Sequence, residues 1–290
     1  MKKNILITGA SSGFGKETAL LLARKGYQVF ASLRNKDSKN KTFTDELQGI
    51  AAKENLQLEV IELDVTNTSS IDKAVEYVVS KTGTIDILIN NAGYGGFGWT
   101  EGFTTEQIRQ MFDVNFFGVV DLNKAVLPYM RKKQDGLIIH ISSILAKLPT
   151  IFMSGYNASK FAIDGYAESL NMETNQFGIQ SIIVQPGFFN TGFAKNMFFN
   201  TDEKRLSEFG ELANMPQQMA AGYEAILSMM PPVSLVAENL LQLIETPKSE
   251  RPLRTVVSAD PHGSLVHQLN EASAKATQQL NEAMAAFQNQ

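Results

Sequence analysis

The chain has 290 residues, 43% of them hydrophobic and 19% charged, which is ample apolar content for a buried core and an ordinary charge density for an enzyme. A net charge of −4 without a basic tract argues against nucleic acid or an anionic membrane surface as a partner, and the absence of cysteine excludes disulfides, thiolate metal sites and a thiol nucleophile. No run approaches the roughly 20 apolar residues of a membrane span, and the apolar start Asn4–Thr8 stops at Gly9, too soon for a signal sequence, so the expected location is cytoplasmic.

Apolar, β-branched runs at Asn4–Thr8, Gln28–Ser32, Gln57–Leu63, Ile85–Asn90, Gly136–Ser142, Gln180–Gln185 and Arg254–Ser258 read as strands. They alternate with amphipathic segments near 14–25, 41–54, 69–81, 105–132 and 155–177. Nearly continuous apolar runs such as Ile85–Ile89 suit strands covered on both faces. This rhythm predicts an α/β fold, a Rossmann-like doubly wound parallel sheet of about seven strands with helices on both faces, in a single domain over 1–290. Residues 191–232 break the rhythm, with Phe193, Met197, Phe198, Phe199, Met215, Met219, Met229 and Met230 set among polar residues before Pro231-Pro232. That composition fits a helical lid over an apolar site, the alternative being a surface insertion packed on the core. The Ala-, Gln- and Asn-rich end at 260–290 reads as a terminal helical extension that caps the fold or reaches a neighbouring subunit.

Between the first strand and the first helix lies Gly9-Ala10-Ser11-Ser12-Gly13-Phe14-Gly15. Glycines here permit a tight turn and close backbone approach, and the helix N-terminus behind them offers N–H groups to a pyrophosphate. The spacing is G-x3-G-x-G rather than the common G-x-G-x-x-G. The same stretch matches G-x-S-x-G through Gly9, Ser11 and Gly13, the nucleophile elbow of a serine hydrolase. Such an enzyme draws an oxyanion N–H from an earlier strand–helix loop, and no strand precedes residue 4, which weighs against this alternative. After the second strand, Leu33 stands where an NAD enzyme places an acid for the ribose 2′-hydroxyl, and Arg34 can pair with a 2′-phosphate, so NADP(H) is the expected cofactor. Asp64, with Val65 after it, ends the third strand where it meets an adenine edge or caps the next helix.

Tyr156 and Lys160 are one helical turn apart at the start of a predicted helix. A tyrosine ionises near pH 10 and needs help to exchange a proton near neutrality. An ammonium ~4 Å away at an effective dielectric of ~20 favours the phenolate by about 4 kcal/mol, roughly a thousandfold in ionisation. Ser142 and Ser143 end one strand and Asn90-Asn91-Ala92-Gly93 ends another, both at the edge where open α/β sheets bind ligands. Asn115, between apolar neighbours within segment 105–132, competes with the helix backbone and needs a reason to be there, whether catalytic or a bond to the core backbone. His140 lies within a strand and reads as structural, and three scattered histidines provide no metal-ligand spacing, so no metal is expected.

Taken in order, Thr8-Gly9, Gly13, Gly15, Asn90–Gly93, Asn115, Ser143, Tyr156, Lys160, Pro186-Gly187 and Thr191 resemble the short-chain dehydrogenase/reductase family over about residues 3–192. The serine thirteen positions before the tyrosine selects Ser143 over Ser142. The resemblance implies Tyr156 as general acid or base, Lys160 lowering its pKa and bonding the nicotinamide ribose, Ser143 orienting the substrate oxygen, and Asn115 holding a relay water. It implies that Gly9, Ser11, Ser12, Gly13, Phe14, Gly15, Asn91, Ala92 and Gly93 contact the dinucleotide. Pro186, Gly187 and Thr191 would border its nicotinamide. It also implies homodimers or homotetramers through 105–132 and 155–177, with Phe116, Phe117 and Phe161 fitting an interface or the core. The aromatic and Met residues after Gly93 (Tyr94, Phe97, Trp99), with Leu145, Met153, Phe188, Phe189 and the lid, suggest an apolar, fairly bulky carbonyl or alcohol substrate. A non-catalytic dinucleotide sensor is the remaining alternative.

Overall fold

A computed structural model describes residues 3–193, 196–226, 229–259 and 261–288. In chain order the elements are β1 (Asn4–Ile7), α1 (Gly13–Arg24), β2 (Gln28–Leu33), α2 (Lys41–Glu54), β3 (Leu58–Glu62), α3 (Thr68–Thr82), β4 (Ile87–Asn90) and β5 (Gly96–Phe97). There follow α4 (Thr105–Phe112), α5 (Gly118–Lys133), β6 (Gly136–Ile141), α6 (Ser154–Thr174), β7 (Ile179–Pro186) and β8 (Phe198–Phe199). The chain continues through α7 (Glu203–Ser207), α8 (Met215–Ile226), α9 (Ser234–Glu245), β9 (Arg254–Val257) and α10 (His262–Gln288). Seven strands form one sheet in the order β3-β2-β1-β4-β6-β7-β9, and every pair in it is parallel.

The alternation of side chains along a strand divides the core into two layers. Ile5 and Ile7 of β1 with Ile87 and Ile89 of β4 face α1 and α9, meeting Leu22, Val236, Leu240 and Leu243. Leu6 and Leu88, with Ile138 of β6, face the opposite side and pack on Val75 and Val78 of α3 and on Leu122 and Val126 of α5. Register aligns the strand ends, Ile7 with Ile89, Asn90 with His140 and Ile141 with Val184, so the loops after β1, β4, β6 and β7 open on one edge. Strand order reverses between β1 and β4, and the crevice at such a switch point is where this architecture binds ligands.

The seven expected strands and the doubly wound sheet are present, with three departures in detail. The segment 105–132 is not one continuous helix, because a π-turn at Asp113–Phe117 separates α4 from α5. Helix α9 was absent from the sequence expectation, although Val236, Ala237, Leu240, Leu243 and Ile244 recur at helical spacing and are buried. Within 191–232, β8 pairs in parallel with β5, tying that segment to the loop after β4.

Candidate active site

The glycine turn is clasped to the loop after β4. Gly9 takes φ +67°, and a Cβ there would lie 2.8 Å from Ala92 Cα. Gly15 at the start of α1 leaves room for the Asn91 amide, which donates to Thr8 O at 2.7 Å and to Gly9 O at 3.1 Å. Thr8 Oγ1 in turn accepts from the backbone N–H groups of Asn91 and Ala92 at 3.0 and 2.9 Å. Ser12 is the N-cap of α1 but makes no side-chain cap bond, and no acid stands in the first turn, so the N–H groups at this terminus remain available to an anion.

A cavity of about 790 Å³ runs along this edge. Ser11, Ser12, Gly13, Phe14, Asn91, Ala92, Gly93, Pro186, Gly187 and Thr191 line it together with Gly9, Ser143 and Tyr156. Three expected site residues, Gly15, Asn115 and Lys160, do not line it but stand behind its wall. At one end are Leu33, Arg34, Asp64 and Val65, and with them Lys39 and Asn40, which sequence reasoning passed over. Lys39 could have been noticed as a second cation five residues after Arg34. Asn40 Nδ2 donates to Arg34 O at 2.6 Å and so holds the loop that carries both cations. The nearby acid, Glu62, is occupied by the backbone N–H groups of Asn35 and Lys36 at 2.7 and 2.8 Å. Asp64 is the one acid among the described lining residues; its Oδ1 accepts from Thr66 N and Thr66 Oγ1, while Asn67 caps α3.

The other end gathers the candidate proton-transfer groups. Ser143 Oγ accepts from Leu145 N at 3.1 Å, which leaves its hydroxyl hydrogen for another acceptor. Tyr156 and Lys160 are both buried, with Lys160 Nζ 5.6 Å from the phenol ring centre and donating to Ile141 O at 2.8 Å. Taking both groups out of water has a cost that counters the favourable charge interaction between them. Burial pushes the Tyr156 phenol up to about 12, with a hydrogen bond to Ser143 acting downward. Burial pushes the Lys160 ammonium down to about 8, with the Asp164 carboxylate acting upward. Without a ligand, therefore, the phenol is held protonated, in the form that can donate.

Asn115 occupies the π-turn, where its amide turns inward to the loop after β4. Its Oδ1 accepts from Tyr94 N at 3.1 Å, and its Nδ2 donates to Tyr94 O at 2.9 Å and to Ser159 Oγ at 3.0 Å. Ser159 Oγ donates to Tyr156 O at 2.8 Å, so the amide braces the tyrosine backbone as well as the cavity wall. His140 is buried between Ser181 Oγ at 3.1 Å and Asn90 Nδ2 at 3.5 Å. Burial, with the Lys160 charge beside it, pushes its imidazole down to about 3, so it is neutral near pH 7. Ser11 borders the cavity, yet no histidine among the described lining residues shares it, as a hydrolase would require.

Apolar side chains close the Tyr156 end: Tyr94, Phe97, Leu145, Met153 and Phe188, with Phe193, Met197, Phe198 and Met230 from the segment after β7, while Phe189 packs edge-on against Phe14 beside the glycine turn. The Phe193 and Tyr156 rings are 5.2 Å apart. Trp99 is not in the lining; it stacks on Phe209 at 4.7 Å and donates from Nε1 to Leu212 O at 3.0 Å. The expected lid span includes residues 194–195 and 227–228, which lie outside the described residues.

The sequence profile of the short chain dehydrogenases matches residues 3–202. Over 204 residues the chain is 45% identical to a 3-ketodihydrosphingosine reductase of Bacteroides thetaiotaomicron, covering 70% of this chain and 68% of that one. It is 34% identical over 283 residues to retinol dehydrogenase 8 of Bos taurus, with 91% and 87% of the two chains covered. A crystal structure of a short-chain dehydrogenase from Streptomyces avermitilis superposes with a TM-score of 0.77 at 27% identity, covering 98% of this chain and 99% of that one. Solved proteins of the same fold hold NADPH in one case and NAD in another. The chain is an oxidoreductase of the short-chain dehydrogenase/reductase family.

Proposed function

We propose that the protein is an NADP(H)-dependent enzyme that interconverts a carbonyl and a secondary alcohol on an apolar, fairly bulky substrate, with reduction the favoured direction. The observation that carries this reading is one continuous cavity with Arg34 and Lys39 at one end and Tyr156 and Ser143, among aromatic side chains, at the other. The names of the relatives support an apolar, bulky substrate, 3-ketodihydrosphingosine being a ketone that reduces to a secondary alcohol and retinol a primary alcohol on an apolar skeleton.

The residues present fit a dinucleotide. The uncapped N-terminus of α1 with Ser11, Ser12 and Gly13 would hold the pyrophosphate, and Arg34 with Lys39 the 2′-phosphate. Asp64 and Val65 would border the adenine, and Asn91–Gly93, Pro186, Gly187 and Thr191 the ribose and nicotinamide. When bound, the nicotinamide ring supplies or accepts the hydride at the reacting carbon. Ser143, its lone pair engaged by Leu145 N, donates to the substrate oxygen. Tyr156 delivers its proton to that oxygen in reduction and takes one back in oxidation. Lys160 opposes the charge left on the phenolate, and Asn115 fixes the backbone beneath. The segment 191–232 serves as a lid on a single-domain enzyme, and copies of the chain associate through α4, α5 and α6.

The test is NADPH consumption, followed at 340 nm over a panel of aliphatic and aromatic ketones and aldehydes. Turnover with NADPH exceeding that with NADH, and lost by at least about a hundredfold in Tyr156→Phe, is the expected result. NADPH binding without turnover across the panel, unaltered by Tyr156→Phe, favours a sensor instead. Ester hydrolysis abolished by Ser11→Ala would identify the hydrolase.

A further inference from the structure

We propose that Asp164 is a positioning residue for Lys160, itself set by a buried chain of side chains that ends at Asn270 on the C-terminal helix. The proposal rests on reading Tyr156 and Lys160 as the proton-transfer pair. Lys160 and Asp164 are one turn apart on α6 and both are excluded from water. The Lys160 ammonium donates to a neutral carbonyl, that of Ile141, so the Asp164 carboxylate is the anion that favours its charged form. Removing that anion leaves a buried ammonium with dipoles alone for support, and its protonated population falls.

A buried carboxylate needs partners of its own, because burial pushes Asp164 upward as well. Gln185 Nε2 of β7 donates to Asp164 Oδ2 at 2.8 Å, and Lys147 Nζ lies 3.5 Å from the same oxygen. The Ser142 hydroxyl further favours the ionised form. An amide has one donor end and one acceptor end, so Gln185 presents its N–H to Asp164 only while its oxygen points the other way. Asn270 fixes that orientation, donating from Nδ2 to Gln185 Oε1 at 2.6 Å. Asn270 is among the few α10 side chains that are buried, and α10 thereby reaches the candidate site through two amides and a carboxylate.

The other charges nearby are accounted for. Lys147 also lies 4.0 Å from Glu168 of α6, and Glu168 is bound by Arg254 of β9 at 2.5 Å. Around Lys160, His140 of β6 is neutral and Tyr156 is protonated near pH 7. β7 faces the carboxyl with the neutral amide of Gln185, and α10 meets that amide with the neutral Asn270.

The experiment reads Lys160 directly, without substrate or cofactor, in the full chain. Lysine is labelled with ¹³C, the Lys160 side-chain resonance is assigned by its loss in Lys160→Arg, and its midpoint is followed with pH. A midpoint near 8 is expected in the native chain, about one pH unit lower in Asp164→Asn, and displaced in the same direction but less in Asn270→Ala. A merely structural role would lower the melting temperature of either variant and leave the midpoint where it was. An unmoved midpoint in folded Asp164→Asn overturns the proposal. Should that variant not fold, an unmoved midpoint in Asn270→Ala does the same. Failure of the parent reading is separately visible, as carbonyl reduction that survives Tyr156→Phe.

Discussion

Tyr156 sits in a pocket that resists its ionisation, and this sets what the side chain can do unaided. Burial raises it to about 12 while Lys160 falls to about 8, so between those values neither group carries a charge in the ligand-free chain. A proton donor kept protonated until a ligand alters its surroundings suits reduction. At the far end of the cavity, Arg34 and Lys39 face no acid except Asp64, which is engaged with Thr66. If these two cations bind a 2′-phosphate, Arg34→Ala and Lys39→Ala each remove a charge-assisted bond of about 1.5–3 kcal/mol, and the KM for NADPH rises about ten- to a hundredfold. The KM for NADH stays within about twofold because it lacks that phosphate. Equal increases for both cofactors, in steady-state assays of either variant, would place the cations elsewhere in binding.

At the scale of elements, the π-turn and the segment after β7 explain why some of the site was legible and some was not. The alternation of apolar strands with amphipathic helices is periodic, so the sheet and the residues at strand ends (Asn91, Ser143, Pro186) could be read directly. Asn115 was visible as a polar residue out of place, but its bonds to Tyr94 and Ser159 depend on a local break in helical hydrogen bonding that periodicity does not report. Asp164 and Asn270 carried no signal because their shared partner Gln185 lies 21 residues from the one and 85 from the other, and only packing brings them together. The clustered Met and Phe residues of 191–232 suggest a cover, and the contacts that hold the described part of this segment emerge only with the fold. Gln107, which completes the capping box of α4 with Thr104, also donates from Nε2 to Phe199 O at 2.9 Å, and Trp99 holds Leu212. Trp99→Ala removes the ring stack on Phe209 and the indole bond, worth about 1.5 kcal/mol together, as well as an edge contact with buried Phe152, so local opening of this segment becomes at least roughly tenfold more frequent. Limited proteolysis under native conditions should then cut within 191–232 at least about tenfold faster. Cleavage at the native rate would mean that the segment is held from elsewhere.

For the whole molecule, the π-turn before α5 and the outer face of α6 leave large aromatic side chains in solvent. Phe117 is 52% exposed and Phe161 44%, whereas Phe116 packs between Phe112, Phe117 and Tyr166. An interface burying these rings predicts a dimer or tetramer in sedimentation, converted to monomer by Phe117→Asp with Phe161→Asp; a native monomer at micromolar concentration would refute it. The interior makes a second demand, through His140 near the centre of the sheet. Unfolding exposes this imidazole to water, where it takes a proton near 6.5, while the native chain refuses one until about pH 3. Its contribution is therefore fully present above 6.5 and is lost as pH falls toward 3, at about 1.4 kcal/mol per pH unit. Ser181 Oγ also bonds Ala167 O at 2.9 Å, and Asn90 Nδ2 bonds Asn123 Oδ1 at 2.9 Å, so His140→Phe strands neither neighbour. Urea denaturation at pH 7.5 and pH 5.0 should show the native chain losing about 2 kcal/mol more than His140→Phe over that interval. Equal losses would mean that His140 accepts its proton in the folded state, and that the polar pocket around it is open to water.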